Sequence, residues 1–142
     1  MATATTHRLL QCVVVTPERA VLDDHVDAVV LPMYDGELGV LPGRAPLIGR
    51  LGYGELRTTK GAVTVRYFVD GGFAQVRENV VTVLTPRAMK AEEINTEAAH
   101  RVLEEARAPG ATPEAQDAQL RAQARARAQL RVAQHAQGPT TP

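Results

Sequence analysis

Ala62-Val-Thr-Val-Arg-Tyr-Phe-Val-Asp-Gly-Gly-Phe-Ala-Gln-Val-Arg77 is the stretch whose reading decides the fold. Val63, Val65, Tyr67 and Val69 fall on every second position, with Thr64, Arg66 and Phe68 between them. A period of two with one all-apolar face is a strand lying on a core. Asp70-Gly71-Gly72 interrupts the run, and its glycines permit the positive φ of a tight turn, so the spacing predicts a hairpin pairing 62–69 with 73–77. Val80-Val-Thr-Val-Leu84 follows Glu78-Asn79 as a third strand, and Val13 to Val15, Val26 to Leu31 and Glu55 to Thr58 supply others. Six or more short strands up to about Thr85, punctuated by Gly, Pro and Asp, describe a β-sandwich or barrel.

Beyond Pro86 the composition changes, with 15 of the 22 alanines lying between Ala88 and Ala136. Neither Gly nor Pro interrupts 91–107 or 114–137, which predicts two helices. Ala108-Pro-Gly-Ala-Thr-Pro113 separates them, with Thr112 as N-cap and Pro113 at the first helical position. The organisation expected is therefore a β-sandwich over 1–86 and a helical hairpin with a flexible tail over 87–142. Helix 91–107 gathers Ile94, Val102, Leu103 and several alanines into one stripe, which must pack on something. Leu120, Leu130 and Val132 of helix 114–137 share no face, which points to a strong helix former that docks conditionally.

The bulk composition narrows the function. Apolar residues make up 44% and charged residues 23% of the 142, ordinary globular usage that excludes global disorder. Lys+Arg and Asp+Glu both total 16, so no net field draws the chain onto nucleic acid or an anionic membrane. The single Cys12 can form neither an internal disulfide nor a metal cage, which favours a reducing compartment. Met1 to Arg8 contains no apolar leader core, and no stretch approaches the roughly 18 apolar residues of a membrane span, so a soluble or peripheral protein without membrane insertion is expected.

Catalytic chemistry is not written in the motifs. There is no phosphate-cradling Gly-x-x-x-x-Gly-Lys-Ser/Thr, and Gly52-Tyr53-Gly54 is a bare Gly-x-Gly. His7, His25, His100 and His135 are scattered, without metal-ligand spacing, and read as surface residues. Cys12, among valines, reads as a small buried hydrophobe rather than a nucleophile, and Asp23, Asp24, Asp27, Asp35 and Glu37 read as turn residues. No catalytic residue, metal or cofactor is expected. The most unusual stretch is Leu31-Pro-Met-Tyr-Asp-Gly-Glu-Leu-Gly-Val-Leu-Pro-Gly-Arg-Ala-Pro-Leu47, which fits either two turns at a sandwich corner or a binding rim.

Val15-Thr-Pro-Glu-Arg-Ala-Val21, Val29-Val-Leu-Pro32, the Gly36-Glu-Leu-Gly-Val-Leu-Pro-Gly43 run, Val69-Asp-Gly-Gly-Phe-Ala-Gln-Val76, Val80–Leu84 and Ala128-Gln-Leu-Arg-Val132 together resemble the epsilon subunit family of the F-type proton-translocating ATP synthase. The resemblance implies a ten-stranded N-terminal sandwich and a C-terminal helical hairpin. It also implies a non-catalytic rotor subunit that joins the gamma subunit to the c ring, peripheral to the cytoplasmic face of the bacterial inner membrane. The hairpin would lie against the sandwich or extend towards the alpha and beta subunits, where it opposes ATP hydrolysis. The alternative class is a free-standing β-sandwich adaptor or ligand-binding module, because a fold does not by itself determine a function.

Residue by residue, the resemblance assigns Glu37 to the rim contact with the c ring. It assigns Arg44 to the same c-ring interface, at the place where the family usually has His, replacing a titratable group by a permanent charge that keeps a charge-assisted bond to the ring. Arg44 reads otherwise as a solvated turn residue. Arg121, Arg125, Arg127 and Arg131 either meet an acidic segment of the beta subunit or line a solvated helix. Some members bind ATP through Ile-Asp-x-x-Arg-Ala, which aligns with Ile94, Asn95, Ala98 and Ala99 here. Both polar anchors are replaced, so the motif is degenerate and tight ATP binding is not expected.

Overall fold

The computed structural model describes residues 9–105 and 109–136. His7, the expected helix ends at Arg107 and Gln137, and the tail lie outside them. Eight strands form one hydrogen-bonded sheet that wraps into a sandwich: β1 Leu10–Val15, β2 Ala20–Val26, β3 Ala28–Met33, β4 Gly36–Val40, β5 Leu47–Lys60, β6 Val63–Arg77, β7 Val80–Leu84 and β8 Ala88–Lys90. Their order is β2-β1-β7-β6-β5-β3-β4, with β8 also on β6; β1 and β7 run parallel and the other neighbours antiparallel. The expected count of ten is reached if β5 and β6, with 14 and 15 residues, are each counted as two arms.

Asp70-Gly71-Gly72 is not a hairpin. Strand β6 runs straight through it, and its register with β5 is unbroken from Leu47↔Val76 to Lys60↔Val63. The positive φ of Gly71 (74°) and Gly72 (105°) serves a corner instead, where β6 exchanges one neighbour for another: 67–69 pair with β8 and 73–77 with β7. A Cβ on Gly72 would collide with the Leu84 carbonyl oxygen, so close approach of β7 demands glycine there. The actual turns are Gly61-Ala62 and Glu78-Asn79, the latter with φ of 51° and 64° between directly paired Arg77 and Val80, as a two-residue hairpin of primed type requires.

Leu10, Cys12 and Val14 of β1 alternate into the core with Val81 and Val83 of β7 and with Tyr67 and Val69 of β6. The expected core face of β6 stops short of its start, because Val63 sits at the hairpin end and is 62% exposed. Phe68, expected to face outward, is fully buried.

The helices explain Phe68. α1 covers Thr96–Glu105 and α2 covers Pro113–Ala136. The first helix does not begin at residue 91: Ala91–Glu93 form a short 3-10 turn, and Asn95 caps α1 by accepting the Ala98 N–H at 3.0 Å. Thr112 caps α2 by accepting the Ala115 N–H at 3.1 Å. Ala128, Val132 and Ala133 of α2 close over Phe68, Ala91 and Ile94, with Tyr53 and Met89 at the margin. The apparent lack of an apolar face on this helix is thus corrected: Ala128 and Ala133 complete a face around Val132, and Phe68 supplies the bulk from the sheet. Burying such an aromatic side chain contributes about 1.5–3 kcal/mol.

Candidate functional site

Two regions hold exposed or charged groups that the core does not need. The first is the rim. The β3–β4 hairpin turns through Tyr34 and Asp35 between paired Met33 and Gly36, and pairs Pro32 with Glu37. The following loop is tied down by Asn79, whose Oδ1 accepts the Gly43 N–H at 2.7 Å, and by the Arg44 N–H, which donates to the Leu41 carbonyl at 3.3 Å. The sequence therefore places Glu37 and Arg44 on one shallow groove, together with Tyr34, Ile48 and Arg50. The Arg50 guanidinium stacks 4.8 Å from the Tyr34 ring centre. Alongside, Ile48, Phe73 and Leu84 are exposed, and Phe73 and Leu84 are direct cross-strand partners. Large apolar side chains grouped outside the core mark a surface for another macromolecule.

The second region is the seam beneath α2. Glu55, only 7% exposed, accepts from Arg57 Nη1 and from Arg66 Nη1, both at 2.8 Å on Oε1, while Oε2 lies 2.9 Å from His135 Nδ1. Burial alone would raise its carboxyl, but the bonds from Arg57 and His135 and the charge of Arg66 outweigh that and hold it below the ordinary range. Further along the helix, Arg125 Nε donates to Asp70 Oδ1 at 2.8 Å, and its guanidinium lies 5.2 Å from the Tyr53 ring centre. The bond to Asp70, opposed in part by burial, raises the Arg125 pKa further.

The four arginines of the helix therefore do not form one set. Arg125 faces the sheet, whereas Arg121, Arg127 and Arg131 are exposed. Glu37 is also engaged, at 3.0 Å from Arg57. At the degenerate nucleotide motif, Ile94 and Ala99 are buried, Asn95 spends its amide oxygen on the cap, and Ala98 donates to it. Sequence reasoning missed Glu55, Arg57, Arg66, Asp70 and His135. Their signal was faint: Glu55 and Arg57 occupy the polar positions either side of buried Leu56, and only the docked helix turns that face into an interior. Cys12 is fully buried, and burial, with the charge of Asp23, pushes its thiol up to about 12, far from a thiolate nucleophile at neutral pH. Among the described residues no cluster of three His, Cys, Asp or Glu could hold a metal, and no helix is long and apolar enough to cross a membrane.

The fold and its exposed groups define a two-part protein: a bent β-ribbon sandwich with an apolar rim, and a helical hairpin clasped to its back. The family model described as "ATP synthase, Delta/Epsilon chain, beta-sandwich domain" matches residues 9–91. The ATP synthase epsilon chain of Rhodopirellula baltica is 54% identical over 124 residues, covering 87% of this chain and 97% of the relative. That of Granulibacter bethesdensis is 41% identical over 128 residues, covering 86% and 95%. Among solved structures, a chain of the Euglena gracilis mitochondrial ATP synthase, determined as OSCP/F1/c-ring in one rotational state, aligns with TM-score 0.80 and 28% identity over 89% of this chain and 82% of that one. A chain from the central stalk and c ring of the Tetrahymena thermophila enzyme aligns with TM-score 0.68 at 13% identity, a likeness of fold. The protein belongs to the ATP synthase epsilon chain family, whose members are non-catalytic subunits of that complex.

Proposed function

We propose that this chain is the central-stalk subunit that joins the gamma subunit to the c ring, so that proton-driven rotation of the ring turns the shaft, and that its hairpin brakes ATP hydrolysis. Family membership along nearly the whole length of a relative carries the reading. The rim supports it, since Glu37 and Arg44 share one groove beside an exposed apolar face suited to a protein partner. The complex would hold the subunit peripherally at the cytoplasmic face of the bacterial inner membrane. No bound nucleotide is needed for this role, and the altered residues at Asn95 and Ala98 agree with that.

The brake is read from the dock. In the docked form α2 occupies its own sandwich, with Arg125 held by Asp70; released, it offers Arg121, Arg125, Arg127 and Arg131 together to an acidic segment of the beta subunit. Removing residues 114–142 is expected to raise ATP hydrolysis by the intact complex and to leave ATP synthesis in place. Unchanged hydrolysis, in a complex verified to contain the truncated chain, would remove the brake from the proposal. Charge reversal at Glu37 or Arg44 is expected to weaken proton coupling while leaving the isolated subunit folded, and coupling equal to wild type would remove these residues from the ring contact.

A further inference from the structure

Glu37 of the rim hairpin and His135 near the end of α2 are linked through two intervening side chains. Arg57 Nη1 donates to Glu37 Oε2 at 3.0 Å and to Glu55 Oε1 at 2.8 Å, and Arg57 Nη2 reaches Glu37 Oε1 at 3.4 Å. One guanidinium nitrogen is therefore shared between the rim carboxylate and the buried carboxylate. The other oxygen of Glu55 is the one tied to His135 at 2.9 Å. Among the described residues, Glu55 is where strand β5, strand β6 through Arg66, and helix α2 meet in one hydrogen-bond network.

We propose that Arg57 and Glu55 relay the state of Glu37 to the docking of α2. While Glu37 holds part of the Arg57 charge, Glu55 keeps enough negative potential to bind His135. When Glu37 is neutralised or drawn to a partner outside the chain, the guanidinium turns wholly to Glu55, whose field at Oε2 weakens, and the end of the helix loosens. The bistable element is the hairpin, docked or released, and Glu37 biases it without bonding to it. This deepens the reading above, in which the rim meets a neighbouring subunit and the hairpin leaves its dock, and it rests on that reading for its biological input. The linkage itself stands on geometry within one chain.

Two features bear on the test. Arg131 lies one turn before His135 and lines, with Glu37 and Glu55, the same cleft of about 200 Å³, so loss of Glu37 could also weaken the dock directly through space. The clasp of Arg125 on Asp70 shares no atom with the network and serves as an independent reference.

The experiment is amide hydrogen exchange of α2 residues 126–133 in the full-length subunit, read against the amides of β1 and β7 as a control for the sandwich. Glu37→Gln is expected to speed exchange in α2 about two- to fivefold, the range of partly exposed ion pairs. In a His135→Gln background the same change should add little, because the end of the relay is already cut. In an Asp70→Asn background it should multiply in full, as independent sites do. In an Arg57→Gln background it should largely vanish. No effect of Glu37→Gln in the parent chain overturns the proposal. So does an undiminished effect in the Arg57→Gln background, which would mean a direct field. Should Arg57→Gln disturb the sandwich controls, the His135→Gln series decides alone, full additivity there overturning the relay. Because no partner is present in the assay, these outcomes are separate from whether Glu37 meets the c ring.

Discussion

Glu55 shows how a strand position that reads as solvent-facing becomes a structural hub. A carboxylate under a helix is tolerable only when donors satisfy it, and Arg57, Arg66 and His135 do so from three elements, the two arginines supplying the positive charge. Its carboxyl is held below its unfolded range, near 4.3. The stability it contributes is therefore complete above that unfolded value and is lost as pH falls through the lower, folded one. Urea unfolding at pH 7 and near pH 3 is expected to show a larger acid loss in the parent chain than in Glu55→Gln, and equal losses would contradict the charged network. At neutral pH the same substitution, which leaves Arg66 without its anion and Arg57 with Glu37 alone, is expected to cost roughly 2 kcal/mol. Gly72 is a second single-residue determinant. Gly72→Ala combines a forbidden φ with a collision against β7 and is expected to destabilise by about 2 kcal/mol or more, whereas Gly36→Ala, at φ 135° but in open space, should cost less. Reversal of that order in denaturant melts would put the close approach of β7 in doubt.

At the scale of elements, the docking of α2 depends on small side chains. Ala128 is fully buried in the cluster around Phe68, so Ala128→Leu is expected to lift the helix from the sheet, raising exchange in α2 while β1 and β7 keep their protection. Leu120→Ala, at an exposed position of the same helix, is the matched control and should change nothing measurable. A helix with protection unaltered by Ala128→Leu would show that its alanine face is not what seats it. Periodicity could find both helices, because alanine runs without Gly or Pro have no other stable use. It could not find where the first begins, since a continuous wheel passes through Asn95, whose side chain takes up the cap. Nor could it find the face of the second, because a hydropathy wheel gives alanine little weight and the partner, Phe68, is 60 residues away in the chain.

The whole molecule is a sandwich that closes its own core and carries the hairpin on its outer face. The main core draws on β1 to β7, with Ala88 at its edge, and the helices contribute to a separate cluster. The sheet runs to Lys90, past the boundary expected at residue 86, so the folding unit to test is residues 1–91. That fragment is expected to be soluble and β-rich, with a lower melting temperature because Phe68, Tyr53 and Glu55 lose their cover. An unfolded circular dichroism spectrum would mean that the hairpin completes the core rather than resting on it. The amino-acid sequence by itself determined the local matters: alternation for strands, turn residues, the Thr112 cap, the buried Cys12 and the rim motif, each set by neighbours a few positions apart. Only the tertiary structure decided that Asp70-Gly-Gly is a corner, that Phe68 is a second core, and that Glu37, Arg57, Glu55 and His135 form one network. Those features depend on which distant surfaces meet, and side-chain period within a strand or helix carries no information about what lands on the other face.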